Sequence, residues 1–132
     1  MVLHASGIRP ELVLAGKNGF LGGKPSATIS YLDQKWVDDT IVIYIGQAGG
    51  GSSAVVLQER IRRYLKHGKT GEGSHTSGRL IWHIPDPTKL VLCWKKLTKD
   101  DPERIESDLL DEFEDCYRQL PFANIIRGKT LV

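Results

Sequence analysis

A run of β-favouring residues that ends at a glycine places the strongest constraint on how this chain can fold. Residues 40–46 read Thr-Ile-Val-Ile-Tyr-Ile-Gly, and small residues dominate the next seven positions. β-branched and aromatic residues suit a pleated strand, whereas Gly and Ser clusters mark loops. The sequence therefore predicts a strand over 40–46 and a loop over 47–53.

Two amphipathic helices are predicted from the spacing of apolar residues. The first follows the loop, with Ser52 or Ser53 as its cap, and is predicted to end near Gly68. The second begins at Asp101-Pro102, because a capping residue followed by Pro is typical of a helix start. It is predicted to end at Pro121. The apolar faces are Leu57, Ile61, Tyr64 and Leu65 in the first helix, and Ile105, Leu109, Phe113, Cys116 and Leu120 in the second.

Two further apolar runs complete the predicted fold. Residues 27–32 favour a strand that pairs antiparallel with 40–46, and residues 89–97 favour a buried strand. The order strand, strand, helix, strand, helix predicts an α+β domain with a small, mainly antiparallel three-stranded sheet flanked by helices. Residues 1–25 are interpreted as an N-terminal arm and residues 26–132 as a single domain.

Composition narrows the class of protein. With 40% hydrophobic and 26% charged residues, the chain resembles an ordinary globular domain. No apolar stretch reaches the length of a membrane span and no signal peptide is visible, so we expect a cytoplasmic protein. Cys93 and Cys116 lie in apolar runs and are expected to be buried free thiols. The three tryptophans, Trp36, Trp82 and Trp94, are expected in the core. A net charge of +2 permits a nucleic-acid partner if the positive charge is clustered.

One acidic side chain on the last predicted helix lies where an apolar one is expected. Glu112 is two turns from Ile105, about 20° from it around the helix axis, at the edge of the apolar stripe. A carboxylate there is costly without a cation or metal ion as a partner. Glu106 also falls within the apolar arc, but it lies in the first turn, where exposed backbone amides tolerate negative charge.

Four sequence motifs in order resemble the GIY-YIG nuclease superfamily. They are Ile-Ser-Tyr at 29–31, Tyr-Ile-Gly at 44–46, Leu-Gln-Glu-Arg-Ile at 57–61, and the stretch from Leu109 to Asn124 that contains Pro121. The family has two short motifs about a dozen residues apart, and Tyr31 and Tyr44 are 13 apart. Ile-Ser-Tyr departs from the family's Gly-Ile-Tyr and keeps only the Tyr. Pro121 and Asn124 follow Glu112 by 9 and 12 residues, the spacing that selects Glu112 over Glu106.

The resemblance implies hydrolysis of DNA phosphodiester bonds with one divalent ion, Mg²⁺ or Mn²⁺, in restriction, defence or repair. By this resemblance Glu112 holds the metal ion. Tyr31 is the candidate general base, Tyr44 positions the nucleophile or phosphate, and Arg60 binds the scissile phosphate. Gly46 allows the backbone to pass close, and Asn124 fixes the end of the helix.

Basic residues around the first helix extend the predicted site. A branch of the family carries a His and an Arg in the loop after this helix, which implies a catalytic role for His75 and a nucleic-acid contact for Arg79, with His67 as a competitor for His75. Arg63, Lys66 and His67 would add nucleic-acid contacts. Because no separate reading domain is visible, specificity would come from loops, a homodimer or a partner subunit. The alternative is a nucleic-acid-binding module, or a subunit that needs a partner, without cleavage.

Overall fold

The structure of the protein, a computed structural model, describes residues 1–12, 20–21, 24–25, 28–49, 56–70 and 79–125. Its elements along the chain are β1 (Val2–His4), β2 (Phe20–Leu21), β3 (Lys24–Pro25), α1 (Ile29–Lys35), β4 (Val42–Tyr44), α2 (Leu57–Thr70), β5 (Leu90–Leu92) and α3 (Pro102–Tyr117). Two 3-10 turns, Arg79–His83 and Pro87–Lys89, lie between α2 and β5.

A three-stranded antiparallel sheet with the order β4-β1-β5 confirms the predicted α+β class. Val2 lies opposite Tyr44 on one side and opposite Leu92 on the other. The strand predicted over 40–46 is confirmed in part, because β4 covers Val42–Tyr44. Its partner is β1, however, so residues 2–4 of the predicted N-terminal arm form the central strand of the sheet. β2 and β3 form a separate two-stranded ribbon.

The strand predicted over 27–32 is wrong, because residues 29–32 belong to helix α1; residue 27 lies outside the described residues. Thr28 caps the helix, and its side chain accepts a hydrogen bond from the Tyr31 N–H at 3.1 Å. Leu32 and Trp36 then follow at the i, i+4 spacing and are both buried. The local β preference of Ile29 and Tyr31 is overridden by this cap and by the burial of one helical face.

Helix α3 begins as predicted and ends earlier. Asp101 accepts a hydrogen bond from the Glu103 N–H, and Pro102 occupies the first turn. Arg118 ends the helix in the left-handed conformation, with its N–H donating to the Glu114 carbonyl at 2.8 Å. The buried residues are Leu110 and Phe113, whereas Cys116 is exposed and Cys93 half-buried. The buried position predicted for Cys116 is therefore wrong.

The core lies on both sides of the segment that contains β4. One cluster contains Leu32, Trp36, Ile43 and Phe122, together with the buried residues of the first 3-10 turn. The second joins α3 to the residue that follows β4, through Ile45, Leu110 and Phe113. The end of β4 is thus held between α3 and the segment that follows α3, which contains Phe122.

Strand β5 is an edge strand, and the prediction that it is buried is wrong. Val91 and Leu92 are 45% and 48% exposed, and Trp94, two residues further on, is 68% exposed. Trp36 is buried as expected and Trp82 is half-buried. Within the described residues, no helix has the length and apolar character that crossing a membrane requires.

Candidate functional site

Three polar side chains, one from a strand and two from helices, lie together at the end of β4. Tyr44 is the last residue of β4, Arg60 lies in the first turn of α2, and Glu106 lies in the first half of α3. The Arg60 guanidinium donates a hydrogen bond to the Tyr44 hydroxyl and also interacts electrostatically with Glu106. All three side chains are partly buried. We refer to Tyr44, Arg60 and Glu106 as the β4 cluster.

Glu106 receives a second contact from the loop that follows β4. The backbone N–H of Gln47 donates a hydrogen bond to its carboxylate. Burial raises the pKa of Glu106 above its ordinary value, and the Arg60 charge and this hydrogen bond offset the rise only in part. The surroundings of Glu106 therefore favour the neutral carboxyl group more than water does.

Tyr44 is also perturbed by its surroundings. Burial raises the pKa of its hydroxyl, and the nearby Arg60 charge opposes that rise without cancelling it. The phenol therefore keeps its proton at neutral pH and can donate a hydrogen bond. This property suits a side chain that positions a ligand, whereas a proton acceptor would need the opposite shift.

Gly46 has a specific steric reason to be glycine. A Cβ atom at this position would lie 2.6 Å from the Tyr44 hydroxyl oxygen and 2.7 Å from its Cε1 atom. The ring of Tyr44 thus packs directly over the backbone of residue 46. This contact links the Tyr and the Gly of the Tyr-Ile-Gly motif, because the missing side chain leaves room for the ring that meets Arg60.

Asn124 fixes the backbone between these two residues. Its side-chain oxygen accepts a hydrogen bond from the Ile45 N–H at 2.9 Å, and its side-chain nitrogen donates to the Ile45 carbonyl at 2.8 Å. Its own carbonyl accepts a hydrogen bond from the Lys35 Nζ at 2.9 Å. The side-chain amide of Asn124 is buried, and it bonds both backbone groups of Ile45 as a neighbouring strand would. Asn124 thus holds the end of β4, whereas the sequence predicts that it fixes the end of the last helix.

The structure places Glu112 away from the β4 cluster. It is six residues from Glu106, about 120° around the helix axis, so the two carboxylates cannot face the same site. Glu112 is exposed, and the predicted position at the edge of the buried stripe is wrong. The spacing from Glu112 to Asn124 crosses the helix end at Arg118 and therefore does not fix a helical face. Glu106, which the sequence also places within the apolar arc, is the carboxylate of α3 that interacts with Arg60. The role of Glu112 as a metal ligand stays a prediction.

Tyr31 lies on α1 rather than at the end of a strand, and its side chain is 37% exposed. Among the described residues, no hydrogen bond joins that side chain to the β4 cluster. Its role as a general base stays a prediction.

The remaining predicted residues divide between the surface of α2 and parts of the chain without described side chains. Arg63 is exposed and forms an ion pair with Glu59 at 3.1 Å, and Lys66 is exposed on the same helix. His67 belongs to α2 and Arg79 begins a 3-10 turn, but their side chains are not described. His75 lies outside the described residues.

A metal ion at this site would depend on Glu106. Among the described residues, no group of three or more His, Cys, Asp and Glu side chains could hold a metal. A single carboxylate oxygen donor fits Mg²⁺, which usually retains several waters and takes further oxygens from a phosphate substrate.

Comparisons with known proteins gave no match: no family model matches the chain, and no curated protein and no solved structure matches it at a significant level. The functional interpretation therefore depends on the residues and geometry described above.

Proposed function

We propose that this protein is a divalent-metal-dependent endonuclease that hydrolyses DNA phosphodiester bonds. The observation that carries the proposal is the β4 cluster: a tyrosine at a strand end, an arginine from the next helix and a carboxylate from the last helix meet beside a glycine. Three of these four positions, Tyr44, Gly46 and Arg60, are those that the resemblance to GIY-YIG nucleases selects. Glu106 replaces Glu112 as the proposed metal ligand.

The chemistry of phosphodiester hydrolysis fits this set of side chains. Arg60 would bind non-bridging phosphate oxygens, since a guanidinium offers paired donors to two oxygens. Tyr44, protonated at neutral pH, would donate a hydrogen bond that orients the phosphate or the attacking water. Glu106 would hold Mg²⁺ or Mn²⁺, which when bound stabilises negative charge on the phosphate and the leaving oxygen.

The position of the cluster also suits a polyanionic substrate. Arg60 is half-buried, so its charge is screened less by solvent than the charge of a fully exposed side chain. Arg62 and Arg63 follow it on α2 and are exposed. Although both form ion pairs with Glu59, such exposed pairs are weak and can be exchanged for phosphate contacts.

The decisive experiment compares the two carboxylates of α3. Purified protein, Glu106→Gln and Glu112→Gln are each incubated with supercoiled plasmid in Mg²⁺, in Mn²⁺ and in chelator. We expect Glu106→Gln to lower the rate of nicking by about 10²- to 10⁴-fold, since the ion contributes several kcal/mol of transition-state stabilisation. Glu112→Gln should stay within about twofold of the parent, as expected for an exposed residue outside the site.

Three other outcomes would change the proposal. Loss of cleavage only in Glu112→Gln would return the metal site to that residue. Cleavage that survives both substitutions and chelator would contradict a carboxylate-held metal. Binding that falls steeply with salt, without cleavage of plasmid, branched DNA or RNA, would favour the alternative of a binding module or a subunit that needs a partner.

A further inference from the structure

The exposed tryptophan that follows β5 has no role in the core. Trp94 is 68% exposed, and Lys95 and Lys96, the next two residues, are also exposed. Among the described residues, no ion pair joins either lysine to an acidic side chain. A large aromatic surface left in water beside two available cations is unusual for a side chain whose only task is packing.

The topology of the sheet brings Trp94 to the same end of the molecule as the β4 cluster. Because β1 is antiparallel to both β4 and β5, the two edge strands run in the same direction. Gly46 and Trp94 are each two residues beyond a position opposite Val2, since Tyr44 and Leu92 both pair with it. Both edge strands therefore leave the sheet at one end, which we call the site end.

The ends of β4 and β5 at the site end are close enough for one nucleic-acid strand to contact both. Tyr44 and Leu92 are separated by β1 alone, which corresponds to two strand spacings, about 10 Å. Val2 lies opposite both Tyr44 and Leu92, so these three residues form one row across the sheet, beside the irregularity in the β1–β4 pairing between Val2 and Leu3. Beyond that row, the Cys93 N–H donates to the Met1 carbonyl at 2.9 Å, which keeps the residue before Trp94 aligned with the sheet.

We propose that Trp94, with Lys95 and Lys96, is a binding platform on which an unpaired nucleobase next to the scissile phosphate stacks. This inference rests on the proposed nuclease function and extends it to a preference for substrates with an unpaired base. The aromatic face binds the base regardless of its sequence, and the two lysines contact the phosphates on either side of it. An exposed aromatic flanked by cations matches the chemistry of single-stranded nucleic acid, in which bases are available for stacking.

The test measures binding separately from cleavage, in the Glu106→Gln background. Fluorescence anisotropy gives the Kd for a labelled single-stranded DNA, the same sequence as a duplex, and the same sequence as single-stranded RNA. Trp94→Ala should weaken single-strand binding by about 5- to 100-fold and duplex binding much less. Trp94→Phe, which keeps an aromatic face, should retain most of the affinity. The Lys95→Ala/Lys96→Ala double variant should lower the salt dependence by about 0.7 in the log–log slope for each lost phosphate contact.

Matched controls come from the opposite end of the same sheet. Ile8→Ala removes an apolar side chain that is 72% exposed, and Lys89→Ala removes an exposed lysine from the residue directly before β5. Both should leave binding unchanged. An equal effect of Trp94→Ala on DNA and RNA single strands would support recognition of the base face, and an effect on only one would assign the platform to that nucleic acid.

The inference is overturned if Trp94→Ala binds like Ile8→Ala, or if it weakens duplex and single-strand binding equally. If the wild-type protein still cleaves DNA in that case, only the stacking platform fails. If the Glu106→Gln protein binds none of the nucleic acids and the wild-type protein cleaves none of them, the proposed function fails together with the stacking platform.

Discussion

The two ends of the three-stranded sheet are built differently. At the end opposite the site, the chain is closed by backbone hydrogen bonds: the His4 N–H donates to the Ile41 carbonyl at 2.8 Å, and the Ala5 N–H donates to the Lys89 carbonyl at 2.7 Å. A turn follows, with Gly7 at a φ of +62°. At the site end, backbone hydrogen bonds such as that from the Cys93 N–H to the Met1 carbonyl are supplemented by side chains, since Asn124 holds Ile45 and Tyr44 covers Gly46.

Burial shifts pKa values at both ends: it raises those of Tyr44 and Glu106 at the site end and lowers that of His4 at the opposite end. The site end differs in its geometry, because Tyr44, Arg60 and Glu106 come from three separate elements and interact with one another there, and Trp94 is left in water. Substitutions at the two ends should therefore separate effects on activity from effects on folding.

The largest effect on folding is expected from a substitution of Asn124, whose side-chain amide bonds the backbone of Ile45. Asn124→Ala would leave the buried N–H and carbonyl of Ile45 without their hydrogen bonds, which should lower the free energy of unfolding by about 2–4 kcal/mol. Gln119→Ala is the matched control, since its half-buried amide donates to the Trp36 carbonyl at 3.1 Å, and it should cost about 1 kcal/mol. Urea denaturation followed by circular dichroism measures both, and equal losses would contradict the special role of Asn124.

The next prediction separates a glycine required for the site from one required for a turn. Gly46→Ala should push the Tyr44 ring away from Arg60 and lower the rate of DNA cleavage by about 10- to 100-fold, because small displacements of positioning groups are costly. The free energy of unfolding should also fall, by about 1–2 kcal/mol, because the displaced ring loses part of its packing against the core. Gly7→Ala should lower the free energy of unfolding by a similar amount, about 1–2 kcal/mol, because of its left-handed backbone, but without loss of cleavage.

A double variant identifies the route by which Gly46 acts. If the methyl group works through the tyrosine, Gly46→Ala should add little to the loss already caused by Tyr44→Ala. Additive losses would mean that residue 46 contacts the substrate itself. Plasmid nicking rates for the two single variants and the double variant give the answer.

Much of the site end could be predicted because its signals are local. The strand that ends at Tyr44 and Gly46, the helix that carries Arg60 and the Asp101-Pro102 start of α3 each follow from short patterns of residue type. The choice between Glu106 and Glu112 did not follow from such a pattern. It depends on which face of α3 meets the end of β4, and that is a tertiary contact.

Three other differences between the predicted and the observed fold also depend on tertiary contacts. β1 has only three residues, too few for an alternating pattern, and its central place in the sheet comes from its two partners. Residues 29–32 include β-favouring side chains but form part of helix α1, since Thr28 caps it and Leu32 is buried. The run around β5 is as apolar as a buried strand, and only the strand order puts it at the edge and Trp94 in water.

The smallest predicted effect is a pH dependence that belongs to the end opposite the site. Burial, with a contribution from the Lys89 charge, lowers the pKa of His4 below its ordinary value of 6.5, while Asp86 opposes the shift. In the window below 6.5 the unfolded chain binds the proton more readily than the folded one, so stability is lost as the pH falls. The stability contributed by the neutral His4 is fully present above 6.5, and its loss levels off once the folded His4 is also protonated.

Thermal unfolding from pH 8 to pH 5 should therefore show a fall in Tm that begins near 6.5 and is smaller in His4→Gln. An identical fall in both proteins would assign the dependence to other groups, and a rise in Tm toward pH 5 that His4→Gln removes would reverse the direction of the His4 shift.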